Sequence, residues 1–360
     1  MHGRYADGPR PDQGCLDGSA TASASASASA SASASARVGT SRHGHLRQAP
    51  DLEITAITAG RPVRIVAPAC PPSREHVSHG VEVLTSWGLR AEVGKHVFDQ
   101  WGYMAGRDED RVSDLNSAFR DPGVRAVFAA MGGKGTYRIV DDLDTDALRR
   151  DPKPVVGFSD ITHLHLALWA RCRLSGLHGP FPNASDEWCG PSSAEAVRRA
   201  LMTTDPVVIH RDAGEASAAV TVEGTASGVL VGGNLGAIRT EAGAGLPSLS
   251  GAILFLEHKR GTGLGEVDRA LTQLTRSGAL DGLRGVALGQ FTGFDQDADD
   301  PSLGGWGIAD VLRDRLTRLA VPVLGGLPAG HGPHPPTIPL GTQATIDTAE
   351  GTLTVQSAVI

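Results

Sequence analysis

Cysteine is scarce: Cys15, Cys70, Cys172 and Cys189 are the four in 360 residues, and no two form a CxxC pair. Such spacing offers neither a zinc site nor a disulfide framework, and the four read as reduced, incidental thiols. No stretch approaches the roughly 18 uninterrupted apolar residues of a membrane span. The first residues carry Arg4, Asp7 and Arg10 without an apolar run, so no secretory leader is read there, and a cytoplasmic location without membrane contact is the expectation. A basic stripe is also missing. Lys and Arg number 33 against 40 Asp and Glu, giving a net charge of -7, and the cations are scattered, which argues against nucleic acid as a partner.

From Ser19 to Ala36 the chain alternates Ala and Ser almost perfectly. Such a tract has too little apolar surface to offset the entropy of ordering it, and Ser competes for backbone hydrogen bonds. Residues 1–58 therefore read as a disordered low-complexity tail. Beyond it, strands and helices alternate. Val63 to Ala67 reads as a buried strand stopped by Pro68 and the Cys70-Pro71-Pro72 turn, and a helix is expected from His76 to Trp87. A second strand at Leu89 to Val93 and a helix from Asp108 to Phe119 follow. The apolar run Val124 to Ala130 is then a central strand of a parallel sheet. Pro154 to Phe158 gives another strand, ending in Ser159-Asp160 before an apolar helix at Ile161 to Ala170. This predicts an N-terminal α/β domain over 59–185, a Pro-rich polar linker and crossover over 186–218, and a β-rich C-terminal domain over 219–360. Strands are expected there at Ser227-Val231, Ala252-Glu257, Gly285-Phe291 and Gln343-Ile346, with a helix from Val267 to Ser277.

The glycine-rich segment Gly132-Gly133-Lys134-Gly135-Thr136 lies at the carboxyl end of the central strand, where ligands of open α/β sheets bind. It matches neither GxGxxG nor GxxxxGK[ST], and Lys134 precedes glycine rather than Ser or Thr, so a phosphate loop is disfavoured. A nucleophile elbow and a plain tight turn remain open on spacing alone. Glu257 at a strand end and the Gly330-His331 pair would, taken singly, be a solvated rim group and turn chemistry. Histidines 163, 165, 178, 258 and 334 show no carboxylate at a recognised ligand spacing, so neither a metal nor another cofactor is expected.

Several blocks in order change the weighting. Tyr103 to Arg111, Asp114-Leu115-Asn116, Gly132-Gly133 and Gly157-Phe158-Ser159-Asp160-Ile161-Thr162 come first. His178-Gly179-Pro180, Gly232-Gly233-Asn234-Leu235, Leu254 to Glu257, Asp268-Arg269, Gly330-His331 and Pro339-Leu340-Gly341 follow. Together they resemble the LD-carboxypeptidases, the MccF-like serine peptidases, over about residues 61 to 350.

The resemblance implies a Rossmann-like or flavodoxin-like N-terminal domain with a parallel sheet and a smaller β-rich C-terminal domain. It also implies a homodimer and a Ser-Glu-His triad. Carried over, the triad falls on Thr136, Glu257 and His331. Oxyanion and substrate contacts are expected from Gly132, Gly133, Tyr137, Ser159, Asp160 and Asn234. Thr136 stands where the family has serine, and its β-branch is disfavoured in a strained elbow. Ser159 is a conceivable substitute hydroxyl whose place in its block reads as structural, capping the following helix. The implied function is hydrolysis of a terminal D-alanine from murein tetrapeptide in peptidoglycan recycling, or of a related peptidyl conjugate. A peptide-binding homologue silenced at Thr136 and an acyl-transfer enzyme are the alternatives.

Overall fold

The computed structural model describes residues 52–183, 189–297 and 300–360; the Ala-Ser tract lies outside them. The described residues fold around two sheets. The first carries β1 (Pro62–Val66), β2 (Arg90–Val93), β3 (Ala126–Ala129), β4 (Val155–Gly157) and β5 (Gly176–His178), in the spatial order 2-1-3-4-5. All these pairings are parallel. This is the flavodoxin-like order, whose crevice opens where the order reverses between β1 and β3. Helices α1 (Arg74–Ser86), α2 (Asp108–Arg120), α3 (Thr145–Arg150) and α4 (Thr162–Cys172) connect the strands. β3 is buried at every position because helices cover both faces, which is why it reads as a continuous apolar run.

The segment expected to be a linker holds regular structure. α5 (Pro191–Met202) opens with proline at its first turn and buries Ala194, Val197, Ala200 and Leu201 on one side, a helical spacing hidden among polar residues. β6 (Val207–His210) follows and pairs at the edge of the second sheet. Order also starts before residue 59, where the tail was expected to end: Ile54 and Ile57 are buried, and the Ile54 carbonyl accepts from Ile360 N–H at 2.8 Å, tying this segment to the chain's last residue.

The second sheet adds β7 (Thr221–Val222), β8 (Thr225–Asn234), β9 (Ala252–Lys259) and β10 (Gly285–Thr292), then β11 (Val323–Leu324). A further strand, β12 (Ile338–Leu340), instead pairs antiparallel with β5 and so extends the first sheet, while β13 (Gln343–Asp347) and β14 (Thr352–Val355) return to the second. β8, β9, β10 and β11 run parallel at its centre. Helices α6 (Leu235–Glu241), α7 (Leu264–Arg276) and α8 (Ile308–Leu316) cover one face, with Leu235, Ile238, Val267, Leu271 and Leu312 in a single apolar cluster. Leu166 and Trp169 of α4 join that cluster, so α4 packs on both sheets' cores. Among the described residues no helix is long and apolar enough to cross a membrane.

Candidate active site

Chain geometry places the reactive groups at strand ends. β4 runs out at Gly157, Phe158 follows in extended conformation, and Ser159 takes φ 63 before the turn leads into α4. A non-glycine residue held in left-handed conformation between a strand and a helix is the geometry of a nucleophile elbow. Ser159 caps no helix end by its side chain. Its hydroxyl lies 3.0 Å from His331 Nε2, and His331 Nδ1 lies 2.5 Å from Glu257 Oε2. A hydroxyl, an imidazole and a carboxylate thus stand in one hydrogen-bonded line.

Glu257 and the loop carrying His331 are fixed from behind. Glu257, on β9, is fully buried, and burial works to raise its pKa. The opposing charge and hydrogen bond of His331, together with His178 and Asn234, outweigh burial and hold it below the ordinary carboxylate value. Asn234 at the end of β8 is in register with Glu257. Its Nδ2 donates to Glu257 Oε1 at 3.2 Å, while its Oδ1 accepts from Gly236 N–H and Ala237 N–H to cap α6. Gly330 at φ 135 leaves no room for a side chain: a Cβ there would stand 2.8 Å from Glu257 Cβ. On the other side of His331, Gly332 N–H donates to Gln290 Oε1 at 2.8 Å, and Gln290 Nε2 donates to Glu215.

The glycine loop serves this line differently from the expectation that Thr136 is its hydroxyl. Thr136 is fully buried, and its backbone N–H donates to Asp160 Oδ2 at 2.9 Å. The Oγ that faces His331 belongs to Ser159. No helix follows the glycines directly: only a short 3-10 turn, Thr136–Arg138, is formed. Gly132 and Gly133 do reach the site. A Cβ on Gly132 would lie 3.4 Å from Ser159 Oγ, and the Gly132 carbonyl is drawn away by Cys70 N–H at 3.2 Å. Thr136, Tyr137, Asp160 and Asn234 are absent from the lining of the adjoining cavity, whereas Gly132, Gly133, Ser159 and His331 line it. Asp160 and Asn234 instead hold neighbouring groups, and burial raises the Asp160 pKa against the Thr136 N–H and the His163 and Arg111 charges.

The cavity has a volume of about 400 Å³. Phe158, Ile161, Phe181 and Pro180 give it apolar walls, and Lys259 contributes a cation. His76, also in the wall, stacks on Phe181 with ring centroids 5.2 Å apart and bonds the Ala130 carbonyl through Nε2 at 2.8 Å. Among the described residues one group, His96, Asp99 and Asp110, brings ligand atoms within 4.8 Å of one another. None of the three lines the cavity.

A Ser-His-carboxylate line at the carboxyl edge of an α/β sheet is the arrangement of the serine-type hydrolases. The chain belongs to the LD-carboxypeptidase family: residues 63–179 match the model of the LD-carboxypeptidase N-terminal domain and residues 227–346 that of the C-terminal domain. It is 37% identical over 305 residues to a putative carboxypeptidase of Streptomyces coelicolor, covering 83% of this chain and 94% of that one. It is 32% identical to a probable murein peptide carboxypeptidase of Bacillus subtilis, covering 84% and 94%. The solved muramoyltetrapeptide carboxypeptidase from Oxalobacter formigenes superposes with a TM-score of 0.71 at 26% identity, covering 83% of this chain and all of that one. An MccF-like protein from Bacillus anthracis shares the fold, with a TM-score of 0.74 at 24% identity over 85% and 99% of the two chains.

Proposed function

We propose that this protein is a serine carboxypeptidase that removes the C-terminal residue, of the D-alanine type, from a murein tetrapeptide, with Ser159 as its nucleophile. The observation that carries the reading is the line from Ser159 Oγ through His331 to Glu257, with spacings of 3.0 Å and 2.5 Å, at the wall of the cavity. The substrate class is supported by relatives described as a probable murein peptide carboxypeptidase and as a murein tetrapeptide carboxypeptidase.

In this reading Ser159 Oγ attacks the carbonyl carbon of the last peptide bond while His331 Nε2 takes its proton, and Glu257 stabilises the imidazolium. The carbonyl oxygen becomes an oxyanion beside the Gly132-Gly133 backbone, which lines the same cavity wall as Ser159. Collapse breaks the C–N bond, and His331 returns its proton to the departing amine of D-alanine. The tripeptide stays as an ester on Ser159 until a water, deprotonated by His331, attacks the ester carbonyl and frees the tripeptide and the serine. Lys259, the charged cavity-wall residue, suits the carboxylate of the leaving residue. A catalytically silenced binder was motivated by threonine at the nucleophile position, and that motive is gone once Ser159 fills the role.

Release of D-alanine from murein tetrapeptide, followed by mass spectrometry, tests the reading. Wild type should release it, Thr136→Val should keep activity within about threefold, and Ser159→Ala and His331→Ala should each lose at least about a thousandfold. Activity that survives Ser159→Ala and vanishes with Thr136→Val would reverse the assignment. Appearance of a transferred acyl product instead of free tripeptide would favour acyl transfer over hydrolysis.

A further inference from the structure

A second carboxylate-imidazole pair is buried beside the first, and the proposed reaction leaves it without a task. Glu241 Oε1 lies 2.5 Å from His163 Nδ1, and their side chains are 8% and 3% exposed. His163 Nε2 faces Asp160 Oδ1 at 3.9 Å, an ion-pair distance. The other oxygen of Asp160 accepts the Thr136 N–H at 2.9 Å. Asp160 directly follows Ser159, so this chain of groups ends one residue from the elbow.

The placement of Glu241 is informative. It closes α6, where a carboxylate meets the negative end of the helix dipole, and it is buried, which a carboxylate tolerates only with a partner. Its position therefore serves the contact it makes rather than its own helix. The opposite end of α6 is Asn234, which donates to Glu257 and whose backbone N–H donates to Thr162 Oγ1 at 3.0 Å. Thr162 and His163 are neighbours in the first turn of α4. One seven-residue helix thus grips the start of α4 at both of its own ends, and each end touches one carboxylate-imidazole pair.

We infer that Glu241 and His163 are positioning residues: Glu241 orients His163, His163 holds Asp160, and Asp160 fixes both the elbow at Ser159 and the glycine loop through the Thr136 amide. His163, with Nδ1 on Glu241 and Nε2 facing Asp160, links a helix of the second sheet to the residue that follows Ser159 in the first. The inference rests on Ser159 being the nucleophile.

The test compares full-length wild type with Glu241→Gln, His163→Gln and the double variant. It measures kcat and KM for D-alanine release from murein tetrapeptide, the rate at which a fluorophosphonate labels Ser159, and thermal melting. Each single variant should lower kcat and the labelling rate about tenfold to a hundredfold, with KM changed by no more than about twofold. The double variant should be no slower than the slower single one, because the groups act as one chain. The double variant removes the buried Glu241 carboxylate together with the imidazole it pairs with, so it keeps the test open when a single one melts early. Variants with wild-type kcat and labelling rate, or activity lost only in proportion to the unfolded fraction, overturn the inference. Wild type that neither releases D-alanine nor labels at Ser159 strikes the underlying reading instead.

Discussion

At the scale of single residues the decisive contrast is between two hydroxyls 23 positions apart. Thr136 follows glycines with positive φ, yet it is fully buried and its amide is committed to Asp160. Ser159 follows a strand and precedes a helix, and its hydroxyl meets His331. That context was legible in part: a strand was expected to end at Phe158 and an apolar helix to begin at Ile161, which leaves a short turn at Ser159-Asp160 between them. The glycine run pointed to Thr136, but glycine marks a sharp turn without telling which residue the turn presents. A left-handed φ costs an L-residue about 1–2 kcal/mol, which glycine does not incur. Ser159→Gly should therefore melt higher than Ser159→Ala, both lacking the hydroxyl, as thermal unfolding of the two variants would reveal. A lower melting point for the glycine variant would mean that the elbow holds no strain.

Elements were legible where one periodicity dominated. β3 is apolar throughout because both its faces are covered, and α7 places Val267, Ala270, Leu271 and Leu274 on one buried side. α5 was not legible, because its apolar spacing is diluted by Ser, Arg and Glu on the exposed side and its neighbours are rich in proline. The pairing of Glu241 with His163 left no mark either, since 78 positions separate them and only tertiary packing brings them together. α4 and β5 also bury His165 and His178, whose pKa values burial depresses from 6.5 to about 4 and about 3. Below pH 6.5 the unfolded chain takes up protons there that the folded chain refuses. The stability from these two groups is therefore complete above pH 6.5 and is lost as pH falls toward their folded values. Neither ring nitrogen of His178 has a hydrogen-bond partner among the described residues, and the ring packs edge-on against Phe158 and Phe255. His178→Leu should consequently lose less melting temperature than wild type between pH 7 and pH 4.5. Parallel losses in the two proteins would show that His178 does not refuse the proton.

At the scale of the whole molecule, the proposed reaction divides its groups between two sheets. The first supplies the elbow and the glycine loop, the second supplies Glu257 and the loop carrying His331, and α4 packs into the cores on both. The family and its two-part α/β architecture were legible because ordered blocks of sequence survive in both halves. The exchange of β12 into the first sheet was not, since three residues of extended chain carry no sign of which edge they join. The central claim is that the acyl group passes through Ser159. Its most direct test is to quench wild-type enzyme in acid during turnover of murein tetrapeptide and map the modified peptide by mass spectrometry. The account predicts a tripeptidyl ester on the fragment bearing Ser159; the same mass on the fragment bearing Thr136 would contradict it.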